Sequence, residues 1–568
     1  MTLALPALAL ARATASAPVS VTLDLRDTAI HTTIITPAAV AHVRTTSQRS
    51  PTWIEVTDTF TNPTAAVVGV RVAHTLAADP HTAALGGRTD ATLTDVYNPW
   101  NPTLFVPTST TSGVGLVAVD DVFRNQLRLS RNAVTRTASL RTDLLCLAPG
   151  ATYAMVWHVY RTDTADYWDF LDTLRRDRRA NDVTLRGALI WFRPDDILAR
   201  SPESLRDALA AQNVAVASSS GGWVDPQRQD SPPRIGFGTE VLAEPFAAYR
   251  DRIRAAVAKL HAARPGLRVL LYFDAQRDST PDAATRFADS LLYSEPHRPE
   301  RSDFGGRFTL SWSMVPTIGN TFGDALAPVV RAMRALGADG LYWDEMDAVE
   351  YSMPRLTTAQ WDSHTCRLDA DGNVLAKLGL ANLLSDPLKA RLAADTFVLG
   401  NSPPTTRRMQ ERPDLRMVEA QHNDAWGAFA HLTTPLGYLG SWLDWPRVRA
   451  KIDEGVLVAG GSLDRPVPFI ARLFPFTPEH LRPGVLRGRE RIVTTRSGVY
   501  GWPDAGRAPR VYRYDAQGGE HPADWSIERR DGRLSVRVEL GPDEAAVIET
   551  GADDGARPVP PGAPAARG

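Results

Sequence analysis

The chain has 568 residues and a mass of 62.0 kDa, room for three or four domains at about 150 residues each. Hydrophobic residues make up 43% and charged residues 23%, an ordinary globular balance that excludes collagen-like, wholly disordered and membrane-embedded chains. With 65 acidic against 63 basic residues the formal charge is -2, so no overall field draws it to nucleic acid or to an anionic membrane.

Residues 1–18 hold an apolar run at 3–11, too short to span a bilayer, followed by Ala15-Ser16-Ala17. The pair of features is like a secretory signal without its positive start, and the expected location is secreted or periplasmic, with the cytoplasm as the alternative. Cys146 and Cys366 are too few for a disulfide framework and fall in segments assigned to different domains. Residues 19–162 read as short strands rich in Val, Thr and Leu between Pro, Gly, Asn and Asp turns, the pattern of a β-sandwich. Residues 163–185 read as a linker helix with Tyr167, Phe170, Leu171 and Leu174 on one face. It ends in an arginine cluster (Arg175, Arg176, Arg178, Arg179) expected to be a solvated helix end.

From 186 to 480 the period alternates between strand and helix. Apolar runs at 188–192, 214–217, 269–274, 340–344, 397–401 and 415–419 are separated by helical stripes such as Tyr249, Ile253, Val257 and Leu260. Pro265-Gly266 and Gly337 stop two of those helices. Alternation over this length predicts a (β/α)8 TIM barrel; a doubly wound sheet is the alternative, but no G-x-G-x-x-G follows the first strand. Asp369-Ala370-Asp371-Gly372-Asn373 reads as a hairpin turn, its Gly misplaced for a calcium loop. Residues 481–552 return to alternating strands, a small C-terminal β-domain or sandwich, and 553–568 form a Pro- and Ala-rich tail expected to be disordered.

In a barrel the strand C-termini form the active face. Reading them in order gives Trp191; Tyr272 and Asp274; Trp343, Asp344 and Glu345 with Asp347 nearby; Asn401; and Glu419 with His422 three residues on. Carboxylates, aromatics and an amide converge, and no metal-type His/Cys cluster accompanies them, so no metal and no cofactor is expected. That set suits glycosidic cleavage. One carboxyl group gives a proton to the leaving oxygen, another attacks the anomeric carbon, and aromatic faces stack on sugar C–H faces. Asp274, Asn401, His422, Trp191, Tyr272, Trp343 and Asp347 are the candidate substrate contacts. The plainer readings are loop caps for Asp274, Asp344 and Glu345, a turn residue for Asn401 and a salt bridge for Glu419.

The segment Gly337-Ala338-Asp339-Gly340-Leu341-Tyr342-Trp343-Asp344-Glu345-Met346-Asp347 resembles the fourth-strand signature of barrel glycoside hydrolases acting on α-linkages, notably the melibiase-type α-galactosidases and the endo-α-N-acetylgalactosaminidases. The resemblance implies Asp344 as nucleophile and, through Met417-Val418-Glu419, Glu419 as acid/base in a retaining glycosidase. The order sandwich, helix, barrel, β-domain is similar to the same group. Two positions depart from the melibiase pattern: the sixth-strand carboxylate is Glu rather than Asp, and Tyr342 replaces the Lys before the nucleophile. Two alternatives stand beside this reading: substrate-assisted N-acetylhexosaminidase chemistry on the pair Asp344-Glu345, or a non-catalytic carbohydrate-binding protein. A carbohydrate partner is implied throughout; no oligomeric state is.

Overall fold

A computed structural model describes residues 10–12, 18–25, 28–90, 92–219, 236–242, 247–306, 308–349, 353–420, 424–440, 443–461, 463–464, 466–502, 509–522, 525–530 and 533–550. The expectations for His422, for most of residues 1–18 and for the tail fall outside these residues.

Two antiparallel sheets built mainly from residues 18–162 face each other. Alternation along Val68–Ala77 and Thr137–Leu147 turns Val70, Val72, Leu140 and Leu145 inward, where they meet Val56, Phe60 and Trp157 in one apolar layer. One sheet does not stop at residue 162. The strands Thr365–Leu368 and Val374–Leu380 continue it, Leu145 pairing with Thr365. Between them Asp369 accepts from the backbone N–H of Asp371 and Asn373, the hairpin turn read from the sequence.

Cys146 and Cys366 are joined in a disulfide at this junction, which corrects the assignment of the two cysteines to separate units. A segment placed by its sequence position in the barrel crosses back to the sandwich and brings its thiol with it. Replacing both cysteines with Ser is expected to lower stability by about 2–5 kcal/mol, because the bridge closes a long loop in the unfolded chain. Thermal melting with and without a thiol reductant measures this; identical melting curves would remove the bridge from the list of stabilising ties.

The helix α1 (Tyr167–Asp177) starts at Asp166, whose side chain accepts from the N–H of Trp168, and buries Phe170, Leu171 and Leu174. Its last turn is not a solvated end throughout. Arg175 is 1% exposed and donates to the carbonyl of Thr433, inside the following unit. Arg178 donates to Gln410 and is half-buried. Contacts of Arg175 and Arg178 thus replace part of what the sequence assigned to water, while Arg176 and Arg179 are exposed.

That sheet has eight parallel strands in sequential order: β1 (Ala188–Phe192), β2 (Val214–Ser219), β3 (Arg268–Asp274), β4 (Gly340–Asp344), β5 (Phe397–Asn401), β6 (Leu415–Glu419), β7 (Leu436–Tyr438) and β8 (Leu457–Val458). The edges meet: Leu189 N–H donates to the carbonyl of Ala459 just after β8 at 2.8 Å. Helices alternate with the strands, among them α2 (Pro202–Ala211), α3 (Ala247–Ala263), α4 (Thr321–Ala335), α5 (Ala381–Ala393) and α6 (Trp445–Asp453). Helix α5 carries Pro387 within it. On the helix-facing side of the sheet Phe273 and Trp343 pack with Ile253, Leu326 and Val329. On the other side Leu270, Tyr272, Tyr342, Leu399 and Met417 meet. Residues 478–549 add a six-stranded and a three-stranded antiparallel sheet around Ile492, Val536, Val538 and Ile548.

Candidate active site

Strand register brings the predicted residues together. In the parallel pair β3–β4, Tyr272 lies opposite Tyr342, Phe273 opposite Trp343 and Asp274 opposite Asp344. With a period of two, Tyr272, Tyr342, Asp274 and Asp344 share the inner face, and Phe273 and Trp343 the outer. Trp343 is therefore not a sugar contact. It is fully buried on the helix side, edge-on to Phe273 at 4.8 Å, and the sequence expectation is corrected by simple alternation.

Asp344 ends β4 at the centre of a hydrogen-bond cluster. Its Oδ2 accepts from the Tyr272 hydroxyl at 2.8 Å. Its Oδ1 accepts from Asn401 Nδ2 at 2.6 Å and from the backbone N–H of Glu345 at 3.0 Å. The same Asn401 nitrogen donates to Glu419 Oε1 at 2.9 Å. Because one nitrogen holds both, the Asp344 and Glu419 oxygens are separated by no more than the sum of 2.6 and 2.9 Å, which is 5.5 Å. Two carboxyl groups 75 positions apart thus sit at the ends of β4 and β6, bridged by the amide at the end of β5 between them.

Burial, reinforced by the charges of Glu419 and Glu345, pushes the Asp344 carboxyl up to about 7, against the opposing hydrogen bonds from Asn401 and Tyr272. Asp274 is raised well above the ordinary carboxylate range by burial and by the nearby Glu345 and Asp344. It is 2% exposed, and its Oδ1 accepts the N–H of Gln276 at 2.7 Å. This burial corrects the expectation that it meets sugar directly.

Glu345 turns away. Its backbone adopts φ 48, and its two oxygens accept from Arg277 Nε at 2.9 Å and Nη2 at 3.1 Å, with Arg355 Nη1 at 3.9 Å from Oε2. A bidentate guanidinium pair is geometrically specific and leaves this carboxylate little freedom to act as a second catalytic group. Asp347 is also corrected. It is fully buried, paired with Lys389 Nζ at 3.1 Å and Arg416 Nη1 at 2.9 Å. Burial alone would raise it, but these two cations hold it below its usual range. It anchors the loop after β4 and cannot reach a ligand.

Aromatic rings flank the carboxylates. Trp191 at the end of β1 stacks on Tyr438 of β7 with centroids 4.1 Å apart, and meets Tyr342 edge-on at 5.9 Å. Tyr342 in turn packs against Tyr272 at 5.7 Å. The sequence reading omitted Tyr342, Tyr438 and Arg277 from the contacts. Tyr342 could have been found by counting two back from Asp344. Tyr438 sits on a three-residue strand with no apolar run to flag it, and Arg277 follows its strand by three residues. Among the described residues no group of three or more His, Cys, Asp or Glu is arranged to hold a metal ion.

No protein-family profile and no curated protein sequence matches this chain. Solved structures do. An α-galactosidase from Lactobacillus brevis superposes with a TM-score of 0.55 at 12% identity, over 97% of this chain and 86% of that one. The galactosidase domain of an α-galactosidase–sucrose kinase gives 0.51 at 11% identity, over 96% and 85%. The chain shares the fold of the α-galactosidases. A glycoside hydrolase family 97 enzyme from Pseudoalteromonas sp. strain K8, solved with panose, also superposes, with a TM-score of 0.50 at 9% identity over 96% of this chain and 91% of that one. The sequence resemblance to barrel glycoside hydrolases acting on α-linkages therefore extends to the fold of nearly the whole chain.

Proposed function

We propose that the chain is a retaining glycoside hydrolase acting on an α-linked oligo- or polysaccharide, its eight-stranded sheet a (β/α)8 barrel between two β-domains, with Asp344 as nucleophile and Glu419 as acid/base. The observation that carries the reading is the Asn401 bridge: it sets one oxygen of each carboxyl group no more than 5.5 Å apart, which favours the about 5–5.5 Å separation of retaining pairs over the about 6.5–9.5 Å of inverting ones. Glu419 donates its proton to the departing glycosidic oxygen as Asp344 bonds to the anomeric carbon. Glu419 then takes a proton from water, whose oxygen displaces Asp344 and frees the sugar. Asn401, between the two, is placed to meet the sugar 2-hydroxyl. Trp191 supplies a stacking face, and Tyr272 holds Asp344 in line.

The nucleophile must be ionised. With Asp344 at about 7, the acidic limb of the kcat/KM profile is expected to rise tenfold per pH unit below that value. A flat profile from pH 5 to 8 would separate Asp344 from the chemistry. Incubation with α-linked di- and oligosaccharides and aryl α-glycosides, followed by proton NMR, should show the α-anomer as first product. A β first product would mean inversion, and no turnover of any panel member would sink the proposal. Glu419→Gln is expected to cost about 10²–10⁴-fold on unactivated glycosides and far less on aryl glycosides with acidic leaving groups. Equal losses on both would deny Glu419 the proton-donor role. The Asp344–Glu345 pair is not favoured, since Glu345 is committed to Arg277. The Cys146–Cys366 disulfide supports a secreted or periplasmic location, where such bridges persist.

A further inference from the structure

Between β3 and α4 the chain forms a small sheet of Arg277–Asp278, Ser311–Ser313 and Arg301–Ser302. The connection between its last two strands carries Phe304 and Phe308, which pack together at 5.4 Å and are both partly exposed. Phe304 holds φ 54, a left-handed backbone that a bulky residue rarely adopts, ahead of Gly305 and Gly306, which also have positive φ. A turn fixes it there: the Phe304 N–H donates to Ser302 Oγ at 3.0 Å, and the Phe308 N–H donates to the Asp303 carbonyl at 3.1 Å.

The ring so presented is tied to the catalytic centre by two routes. Its face lies under the Arg277 guanidinium at 4.4 Å, and Arg277 grips Glu345, the residue next to Asp344. Phe304 also contacts Phe237 at 6.3 Å, and Phe237 contacts Tyr272, the hydrogen-bond donor to Asp344, at 6.3 Å. The ring contacts from Trp191 through Tyr342 and Tyr272 thus continue past Asp344 to Phe304 and Phe308. One end of this series serves the ring being cleaved. The other lies two ring contacts beyond Tyr272, and partly exposed aromatic faces beside a sugar site are what a neighbouring pyranose stacks on.

We propose that Phe304 and Phe308 form a subsite for a second sugar ring of an α-linked oligosaccharide, held in register with Asp344 by Arg277. The subsite rests on the glycosidase reading for its substrate class. It adds that the protein selects chains of at least two rings, and that the insertion after β3 does the selecting.

The test compares wild type with Phe304→Ala/Phe308→Ala and with Phe304→Trp. Hydrolysis of an α-linked trisaccharide and of the matching aryl α-glycoside is followed together with calorimetric binding of the trisaccharide. The double variant should raise KM for the trisaccharide at least tenfold and weaken its binding by a similar factor. The aryl glycoside, which has no second sugar, should lose much less than the trisaccharide in kcat/KM, and Phe304→Trp should retain trisaccharide binding. Equal losses on both substrates, or none on either, would overturn the subsite. If wild type binds the trisaccharide without cleaving it and the double variant does not bind, the subsite stands and the hydrolase assignment falls. If wild type does not bind it at all, the subsite is overturned.

Discussion

Asp344→Asn should abolish turnover, lowering kcat by at least about 10⁴-fold while leaving the fold and sugar binding intact. The substitution keeps the shape and both neighbours: Tyr272 and Asn401 still find a polar group at the end of β4. Only the nucleophilic oxygen is lost. Azide is then diagnostic. With Asp344→Gly, azide occupies the vacated space and attacks the anomeric carbon directly, giving a β-glycosyl azide from an α-glycoside. With Glu419→Ala, azide instead displaces Asp344 from the glycosyl-enzyme, giving the α-azide. Two β products, or rescue of neither variant, would mean the two carboxylates do not divide the work as assigned.

Asp347→Asn should be the most destabilising single change of those considered, about 3–5 kcal/mol, because it leaves Lys389 and Arg416 buried beside a neutral amide. Removing one partner of a buried ion cluster costs more than the cluster contributes, since the remaining charges keep their desolvation penalty. Urea unfolding measures it. Adding Lys389→Met should recover part of the loss, because one unpaired charge goes with it. An unchanged urea midpoint for Asp347→Asn would mean that the buried cations find compensation elsewhere.

The strand ends at Asp274, Asp344, Asn401 and Glu419 could be read from the sequence because each closes an apolar run that no helix period fits. Their mutual placement follows once those runs are laid side by side in order. What escaped the sequence was direction and depth. Trp343 and Asp347 belong to the right segments but face the wrong way, and Asp274 is covered. Alternation could have settled Trp343; the burial of Asp347 depends on Lys389 and Arg416, 42 and 69 positions away, a pairing that no local pattern encodes. Arg277 and Tyr438 act from strands of two and three residues, where hydrophobic periodicity carries no signal. The return of residues 365–380 to the first β-sandwich was hidden for a similar reason: a hairpin looks the same wherever it docks.

That return has a wider effect. The first sandwich also sends Trp100 to the carbonyl of Asp347 at 3.1 Å, so its hold on the loop beyond Asp344 is direct. Cutting the chain after residue 162 to obtain a minimal catalyst would strip a sheet from its own last strands, leave Cys366 without its mate and unpin that loop in a single cut. The chain's modules are therefore inseparable by simple truncation, and shuffling its front portion for that of a structural relative would require exchanging the hairpin at 365–380 as well.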